Sequence, residues 1–334
     1  MGADFRWTKK VAVWAIFIFS LLTYVGFIQS GTAWHNGSMA NNQTNYNYDS
    51  HYSTHDWVAE AALDALVKVD PGNWNWLVER KSIFLVGTEA PDSSDVSMTL
   101  DGTAVTGFHD MTYHHIYFND DNTIYNNEDD AGVRAKWCGD SADVAMDAQK
   151  RDLAAFYLGA MTHYIADLGS FAHVIDGVDT STHNSFEGYV DTRTNDHDNR
   201  QEFFTISSFT VTSKTPYNAA KELGWDTYKD PTTAHGAQWL WDNLFSDWKQ
   251  TFATRTADTQ SHQDYYNRVE QNLNTAIAAC AAAMNGALGV GSTGTTSATS
   301  ANNGIPACPL PIFAGFVIIA VVGLIGWKHR KNHG

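Results

Sequence analysis

The stretch "FYLGAMTHYIADLGSFAH", residues 156–173, combines an apolar helical pattern with side chains that bind metal ions. Its apolar residues recur at helical spacing, which predicts a helix from Ala142 to about Leu168. His163 and Asp167 are one turn apart and project from the same side of that helix. Burying such a pair costs free energy unless both side chains find partners. A bound divalent cation would satisfy both.

A second pair with the same spacing follows, formed by His183 and Glu187 in "HNSFEGYVDT". His173 lies between the two pairs in a predicted turn. For a single pair of this kind, a surface ion pair or a satisfied core histidine is the favoured explanation. Imidazole and carboxylate groups together are the ligands that zinc takes where thiolates are absent. The apolar setting of the first pair favours a zinc site.

These two stretches resemble the bacterial zinc-dependent phospholipase C family, which includes the phosphatidylcholine-cleaving enzymes and the α-toxins. The family signature is H-Y-x-x-D, a further His six residues after the Asp, and then His-x3-Glu. This chain matches it at five positions: His163, Asp167, His173, His183 and Glu187. The resemblance covers roughly residues 34–285. It implies an all-α fold, a single multi-helix domain of the zinc-dependent phospholipase C and zinc nuclease type, with three zinc ions.

Two more ligands are implied by the resemblance in the first half of the chain. The family has a His at the start of its first long helix, which fits His55 in "HDWV", with His51 as the alternative. It also has an Asp in a Gly-x-x-x-Pro-Asp type of loop. The sequence "GTEAPD" supplies Asp92 for that position, with Asp95 as the alternative.

The last two implied ligands lie in less regular sequence. A His before aromatic residues fits "HHIYFNDD", where we prefer His115 to His114. The family also binds zinc through the amine and carbonyl of an N-terminal Trp that is exposed by cleavage. The sequence "GTA-WHNG" offers Trp34 in that position. One departure is Phe171, which stands where the family commonly has Pro.

The resemblance also implies how the ions are shared and what they do. One ion is held by Asp92, His115, His163 and Asp167, a second by His173, His183 and Glu187, and a third by Trp34, His55 and Asp167. Clustered divalent ions clamp phosphate oxygens and activate a bound water for in-line attack. Asp92 is the predicted general base. The predicted reaction is hydrolysis of the glycerol–phosphate bond of a phospholipid.

The net charge of the chain bears on the choice between the phospholipase prediction and the alternative functions. The 334-residue chain has a net charge of −16, so it repels phosphate backbones and is not expected to bind nucleic acid. The main alternative is a zinc-dependent single-strand nuclease or another phosphodiesterase on the same fold, although those nucleases usually carry Asp in place of Glu187. A third hypothesis is a non-catalytic surface protein that keeps zinc for stability.

Apolar runs near both termini predict a membrane-bound protein. Val11–Ile28 and Pro309–Trp327 approach the length of a membrane-spanning helix, and basic residues flank each on its terminal side. The second run predicts a cell-membrane protein with an extracellular catalytic domain and a cytoplasmic C-terminus. The first run is either a signal peptide or an uncleaved anchor. The predicted segments are 1–33 (signal peptide or anchor), 34–285 (catalytic domain), 286–306 (Gly/Ser/Thr-rich stalk) and 307–334 (transmembrane helix and basic tail).

Four further expectations concern the domain between these runs. Residues 88–130, rich in Asp, Asn, Thr and Gly, predict a long loop, and residues 205–213 predict a β-strand. Further helices are expected over 74–86, 234–252 and 261–284. Cys138 and Cys280 lie in the same domain and form a candidate disulfide in an oxidising compartment.

Overall fold

The structure, a computed structural model, describes residues 52–197, 203–230, 232–244 and 260–289. Within these ranges the chain is mostly helical, which confirms the prediction of an all-α fold. The α-helices are α1 (Thr54–Val69), α2 (Pro71–Val78), α3 (Lys81–Glu89), α4 (Asp130–Asp147), α5 (Arg151–Asp167), α6 (Thr180–Asp191), α7 (Pro216–Lys229), α8 (Ala237–Asp242) and α9 (Gln260–Ala287). A 3₁₀ turn (Phe171–His173) follows α5, and β1 (Ser97–Leu100) pairs antiparallel with β2 (Thr103–Thr106).

The centre of the domain is α5, which packs against α3 and α4. Two glycines allow the closest approach between α3 and α5. A Cβ added at Gly159 would lie 1.9 Å from the Phe84 carbonyl oxygen, and one at Gly87 would lie 2.2 Å from that of Phe156. Gly87 therefore serves helix packing inside α3, which continues to Glu89 and not only to the predicted end at residue 86.

The long helix predicted from Ala142 is divided in two. Gln149 adopts a left-handed conformation with φ of 59° between α4 and α5, which breaks the helical path. The new N-terminus of α5 is capped from a distance, because Oδ2 of Asp101 accepts hydrogen bonds from the backbone N–H groups of Asp152 and Leu153. Asp101 lies in the turn between β1 and β2, within the predicted loop 88–130. The β-hairpin was not predicted, and this contact connects it to the central helix.

The predicted strand at residues 205–213 is wrong, since the segment has no regular secondary structure. Side chains of α9 take the place of a partner strand. Asn274 accepts a hydrogen bond from Ser207 N (2.7 Å) and donates one to Thr205 O (2.9 Å), and Glu270 accepts from Thr205 N. The β-propensity of the segment is thus overridden by tertiary contacts.

Cys138 and Cys280 are both buried free thiols, so the candidate disulfide is absent from the described structure. Both lie in the apolar core, and the Cys280 Sγ is 3.5 Å from the Thr162 carbonyl oxygen. Among the described helices, none is long and apolar enough to cross a membrane. The apolar runs Val11–Ile28 and Pro309–Trp327 lie outside the described residues, as do Trp34 and His51.

Candidate metal centre

Six separate elements bring potential metal ligands to one buried region. The side chains come from the start of α1 (His55), the turn after α3 (Asp92), the segment before α4 (His114), the end of α5 (His163, Asp167), the 3₁₀ turn (His173) and α6 (His183, Glu187). The side chain of His183 is 20% exposed, whereas that of Asp167 is fully buried. The cluster is therefore most open to solvent beside His183.

Asp167 joins the histidines of this region. Its Oδ2 atom lies 2.8 Å from Nδ1 of His114 and 3.3 Å from Nε2 of His163. Its Oδ1 atom faces another pair, at 3.4 Å from Nε2 of His55 and 3.9 Å from Nε2 of His173. Burial alone would raise the pKa of Asp167, but interaction with the neighbouring His163, His173 and His55 imidazoles holds that pKa well below its ordinary value. A carboxylate with its two oxygens directed at different histidines has the geometry of a bridging ligand.

The orientation of His163 is fixed by the backbone of α3. Its Nδ1 atom donates a hydrogen bond to the Thr88 carbonyl oxygen at 2.7 Å, which leaves the lone pair on Nε2 directed at Asp167. The ring of His55 stacks on it with centroids 3.8 Å apart. Burial and then the neighbouring His163 lower the pKa of His55 well below its ordinary value, so this ring stays neutral and able to act as a ligand.

His173, His183 and Glu187 form a second group. Oε1 of Glu187 lies 3.1 Å from Nε2 of His173 and 2.8 Å from Nε2 of His183, and those two nitrogens are 3.1 Å apart. Burial alone would raise the pKa of Glu187, yet the charge of His183 and hydrogen bonds from both histidines lower it. The helical spacing predicted for His183 and Glu187 is what places both side chains on one side of α6.

Asp92 lies close to the first group, whereas Asp95 does not. Oδ1 of Asp92 is 3.6 Å from Nδ1 of His114 and 3.7 Å from Nε2 of His163, and the carboxyl is buried. Burial raises its pKa above the ordinary value, although His163 and His114 oppose the shift. Asp95 is exposed and its carboxylate accepts a hydrogen bond from Ser94 at 3.5 Å.

The structure brings His114 to the buried cluster, and not His115, which the sequence analysis preferred. His114 lies with Asp167 and His163, while His115 directs its Nε2 atom to Glu128 at 3.1 Å. The physical reason is that the His115 ring stacks on Tyr117, with centroids 4.4 Å apart, so it belongs to the outer side of the segment. Both histidines precede the same aromatic residues in the sequence, so only the packing of the segment shows which of them faces the cluster.

Sequence reasoning missed Asp110, which lies behind His114. Its carboxylate accepts hydrogen bonds from the Tyr164 hydroxyl at 2.8 Å and from Nε of Arg134 at 3.0 Å, and lies 3.4 Å from Nε2 of His114. Burial alone would raise the pKa of Asp110, but His114 and Arg134 lower it. Such a carboxylate orients a ligating imidazole. The available signal was its position four residues before His114.

Several nitrogen and oxygen atoms of the cluster lack a hydrogen-bond partner and are available to bind metal ions. Within the described residues, four buried side-chain atoms of this cluster have no hydrogen-bond partner. They are Nδ1 and Nε2 of His55, Oδ1 of Asp167 and Oε2 of Glu187. Leaving such groups unsatisfied costs free energy, and a dication bound among them would remove that cost. Imidazole and carboxylate donors without thiolates suit zinc.

Comparison with known proteins gives similarities in structure alone. No protein-family model and no curated protein matches the chain. The structure is similar to the alpha toxin from Clostridium absonum, with a TM-score of 0.46, 18% identity and coverage of 72% of this chain and 64% of the toxin. It is also similar to Clostridium perfringens alpha-toxin from avian strain SWCP, with a TM-score of 0.44, 15% identity and the same coverages. The match thus spans less than two-thirds of the length of each toxin.

Proposed function

We propose that this chain is a zinc-dependent phosphodiester hydrolase that acts as a phospholipase C. The observation that carries the proposal is the position of Asp167, whose two carboxylate oxygens face different buried histidines. A bridging carboxylate between histidine groups is the arrangement required to hold neighbouring ions, and neighbouring divalent ions suit phosphodiester hydrolysis. The resemblance of residues 156–192 to the zinc-dependent phospholipases C selects the lipid substrate.

The ligand set differs from the sequence prediction at one position. We assign His55, Asp92, His114, His163 and Asp167 to the ions on one side of the cluster, and His173, His183 and Glu187 to the ion on the other. Trp34 completes the set by resemblance alone. When bound, the ions would neutralise charge on the phosphate and lower the pKa of the attacking water. The number of three ions is part of this proposal.

Asp92 is the proposed general base. Its carboxylate lies beside the proposed zinc ligands, 3.6 Å from Nδ1 of His114 and 3.7 Å from Nε2 of His163, where it can accept a proton from the attacking water. In the proposed reaction, water attacks phosphorus while its proton passes to Asp92. The bond between phosphorus and the glycerol oxygen breaks, and that oxygen takes a proton from solvent. The products are a diacylglycerol-like lipid and a phosphorylated headgroup.

The proposed location is the outer face of the cell membrane. The C-terminal apolar run would hold the domain there as a transmembrane helix, on the stalk of residues 286–306. The acidic net charge of −16 favours a lipid aggregate over a polyanionic nucleic acid as substrate. The partly exposed His183 gives the proposed substrate phosphate a side from which to approach.

The deciding experiment offers both substrates to the same preparation. The purified full-length protein, with measured zinc content, is incubated with phosphatidylcholine micelles and separately with single-stranded DNA. We expect lipid hydrolysis to exceed DNA hydrolysis by at least about tenfold, equivalent to about 1.4 kcal/mol of barrier difference. The reverse order would make the protein a nuclease, and bound zinc without hydrolysis of either substrate would make it a non-catalytic surface protein.

A further inference from the structure

A separate group of potential metal ligands lies on the outer side of the segment that carries His114. His115, Glu128 and Asp130 each offer one ligand atom, and these atoms all lie within 4.8 Å of one another. Nε2 of His115 is 3.1 Å from Oε2 of Glu128. The side chains of His115 and Glu128 are 19% and 43% exposed, so this group is open to solvent, unlike the buried cluster.

Backbone hydrogen bonds hold the segment that carries His115 beside the segment that carries Glu128 and Asp130. The Ala131 N–H donates to the His115 carbonyl at 3.2 Å, and the Tyr117 N–H donates to the Glu128 carbonyl at 2.9 Å. Stacking on Tyr117 orients the His115 ring. The chain returns from one part to the other through Asn126 and Asn127, both with positive φ, a conformation that asparagine adopts more readily than most residues. The juxtaposition is therefore a property of the fold and not of flexible side chains alone.

The charges of the group repel one another when no cation is bound. Burial and the neighbouring Glu128 carboxylate raise the pKa of Asp130, against the lowering effect of His115. Asp129 adds a further negative charge, and its Oδ2 atom accepts a hydrogen bond from the Tyr217 hydroxyl at 2.6 Å. A divalent ion between Glu128 and Asp130 would offset this repulsion.

We propose that His115, Glu128 and Asp130 form an additional site for a divalent transition-metal ion, Zn²⁺ or Mn²⁺. One imidazole and two carboxylates suit these ions, whereas Ca²⁺ takes oxygen ligands only. The site binds more weakly than the buried cluster, because three partly exposed protein ligands leave coordination positions to water. The proposal does not depend on the hydrolase activity.

An ion at this site has a direct connection to the buried cluster. His115 follows His114 in the chain, and the next N–H, that of Ile116, donates to the His173 carbonyl at 3.0 Å. Binding therefore fixes the segment that carries His114. The same segment hydrogen-bonds to the backbone of His173, another proposed ligand of the buried cluster. We expect occupancy of the outer site to raise the thermal stability of the protein.

The test is a measurement of metal stoichiometry in the full-length protein. The protein is equilibrated by dialysis at low and at high buffered free Zn²⁺, and in parallel with Mn²⁺, and its metal content is determined. The variants are Glu128→Gln and Asp130→Asn, which keep the shape of each side chain. The control is Asp121→Asn, which removes one exposed charge from the same loop outside the group.

We expect the wild type and Asp121→Asn to gain one equivalent of metal between the low and high concentrations. Glu128→Gln and Asp130→Asn should lose that equivalent, together with its stabilising effect in a thermal melt, and keep the metal bound at low concentration. The proposal is overturned if the wild type gains no equivalent, if both variants keep it, or if Asp121→Asn loses it as well. A failure of the hydrolase proposal would appear separately, as a lack of lipid turnover.

Discussion

Nδ1 of His114 lies 2.8 Å from Oδ2 of Asp167, although the two residues are 53 positions apart in the chain. The contact joins the segment before α4 to the end of α5. Replacing His114 by Asn should therefore remove one tightly held zinc equivalent, because a neutral amide is a poor substitute for an imidazole ligand. Metal analysis after dialysis at low buffered free zinc measures the loss.

His115→Asn is the matched control for that experiment. The His115 ring faces Glu128 and not Asp167, so its loss should leave the tightly bound zinc unchanged at low free zinc. If His115→Asn loses tight zinc and His114→Asn keeps it, the assignment from the structure is wrong and the preference from the sequence is restored.

A second prediction concerns the shared position of Asp167. Asp167→Asn should lose more than one equivalent of zinc, because both oxygens of the side chain face ligand groups. Phospholipid hydrolysis should fall by at least about 100-fold. This is the largest loss typical of residues that hydrogen-bond to a metal ligand, and a residue that binds the metal itself should matter at least as much. His235→Ala, at a histidine that stacks on Trp239 and belongs to none of the groups of potential metal ligands among the described residues, should change neither quantity. Full zinc content in Asp167→Asn would contradict the bridging role.

The sequence predicts the part of this cluster that is local. His163 and Asp167, like His183 and Glu187, are one helical turn apart, and that spacing alone places each pair together. His55 and Asp92 need tertiary structure to reach the cluster, and they could be assigned only by resemblance. The choice between His114 and His115 depends on which ring packs against Tyr117, which no local pattern encodes.

The fold shows the same division between local and non-local causes. Apolar periodicity predicts helices, and the resemblance implies the all-α fold. The failures at Gly87 and at residues 205–213 come from contacts with elements distant in sequence, namely α5 in one case and α9 in the other. Gly87 and the β-prone residues have the expected intrinsic preferences, but packing decides their conformation.

A third prediction tests the carboxylate behind His114. Asp110→Asn should weaken zinc binding by about 10- to 100-fold, because the carboxylate that orients the imidazole loses its charge. Competition with a chromophoric chelator measures the affinity. Tyr164→Phe removes only a hydroxyl that donates to the same carboxylate, so it should have the smaller effect. Equal zinc affinity in Asp110→Asn and the wild type would show that this carboxylate does not orient the ligand.

A fourth prediction concerns pH-dependent stability far from the cluster. The Asp230 side chain is fully buried, accepts a hydrogen bond from Thr232 at 2.6 Å, and lies 3.5 Å from Nη1 of Arg268. Burial alone would raise its pKa, but the hydrogen bonds from Thr232 and Thr233 and the Arg268 charge lower it below the ordinary value. The carboxylate therefore stabilises the fold above the unfolded pKa of about 4. This contribution is lost as the pH falls through the lower folded pKa.

Urea unfolding of the metal-free protein tests this at two pH values. At pH 7, Asp230→Asn should lower the free energy of unfolding by about 1–3 kcal/mol, the usual cost of a buried charged hydrogen-bonding group. The difference between wild type and variant should shrink below about pH 4, because the unfolded wild type then binds a proton at Asp230 while the folded carboxylate stays charged. Asp120→Asn, which removes an exposed partner of Lys229, should change stability little at either pH. A constant difference across this range would rule out the carboxylate as its source.

The last prediction joins the N-terminus to the buried cluster. Both ring nitrogens of His55 have no hydrogen-bond partner among the described residues, so an ion bound there needs further donors. The resemblance supplies them from Trp34, whose amine is free only if the chain is cleaved after Ala33. We therefore expect N-terminal sequencing of the membrane-bound protein to begin at Trp34, and metal analysis to give three zinc equivalents. A sequence that begins at Met1 or Gly2 would leave Trp34 with its carbonyl alone, and the zinc beside His55 should then bind weakly or be absent.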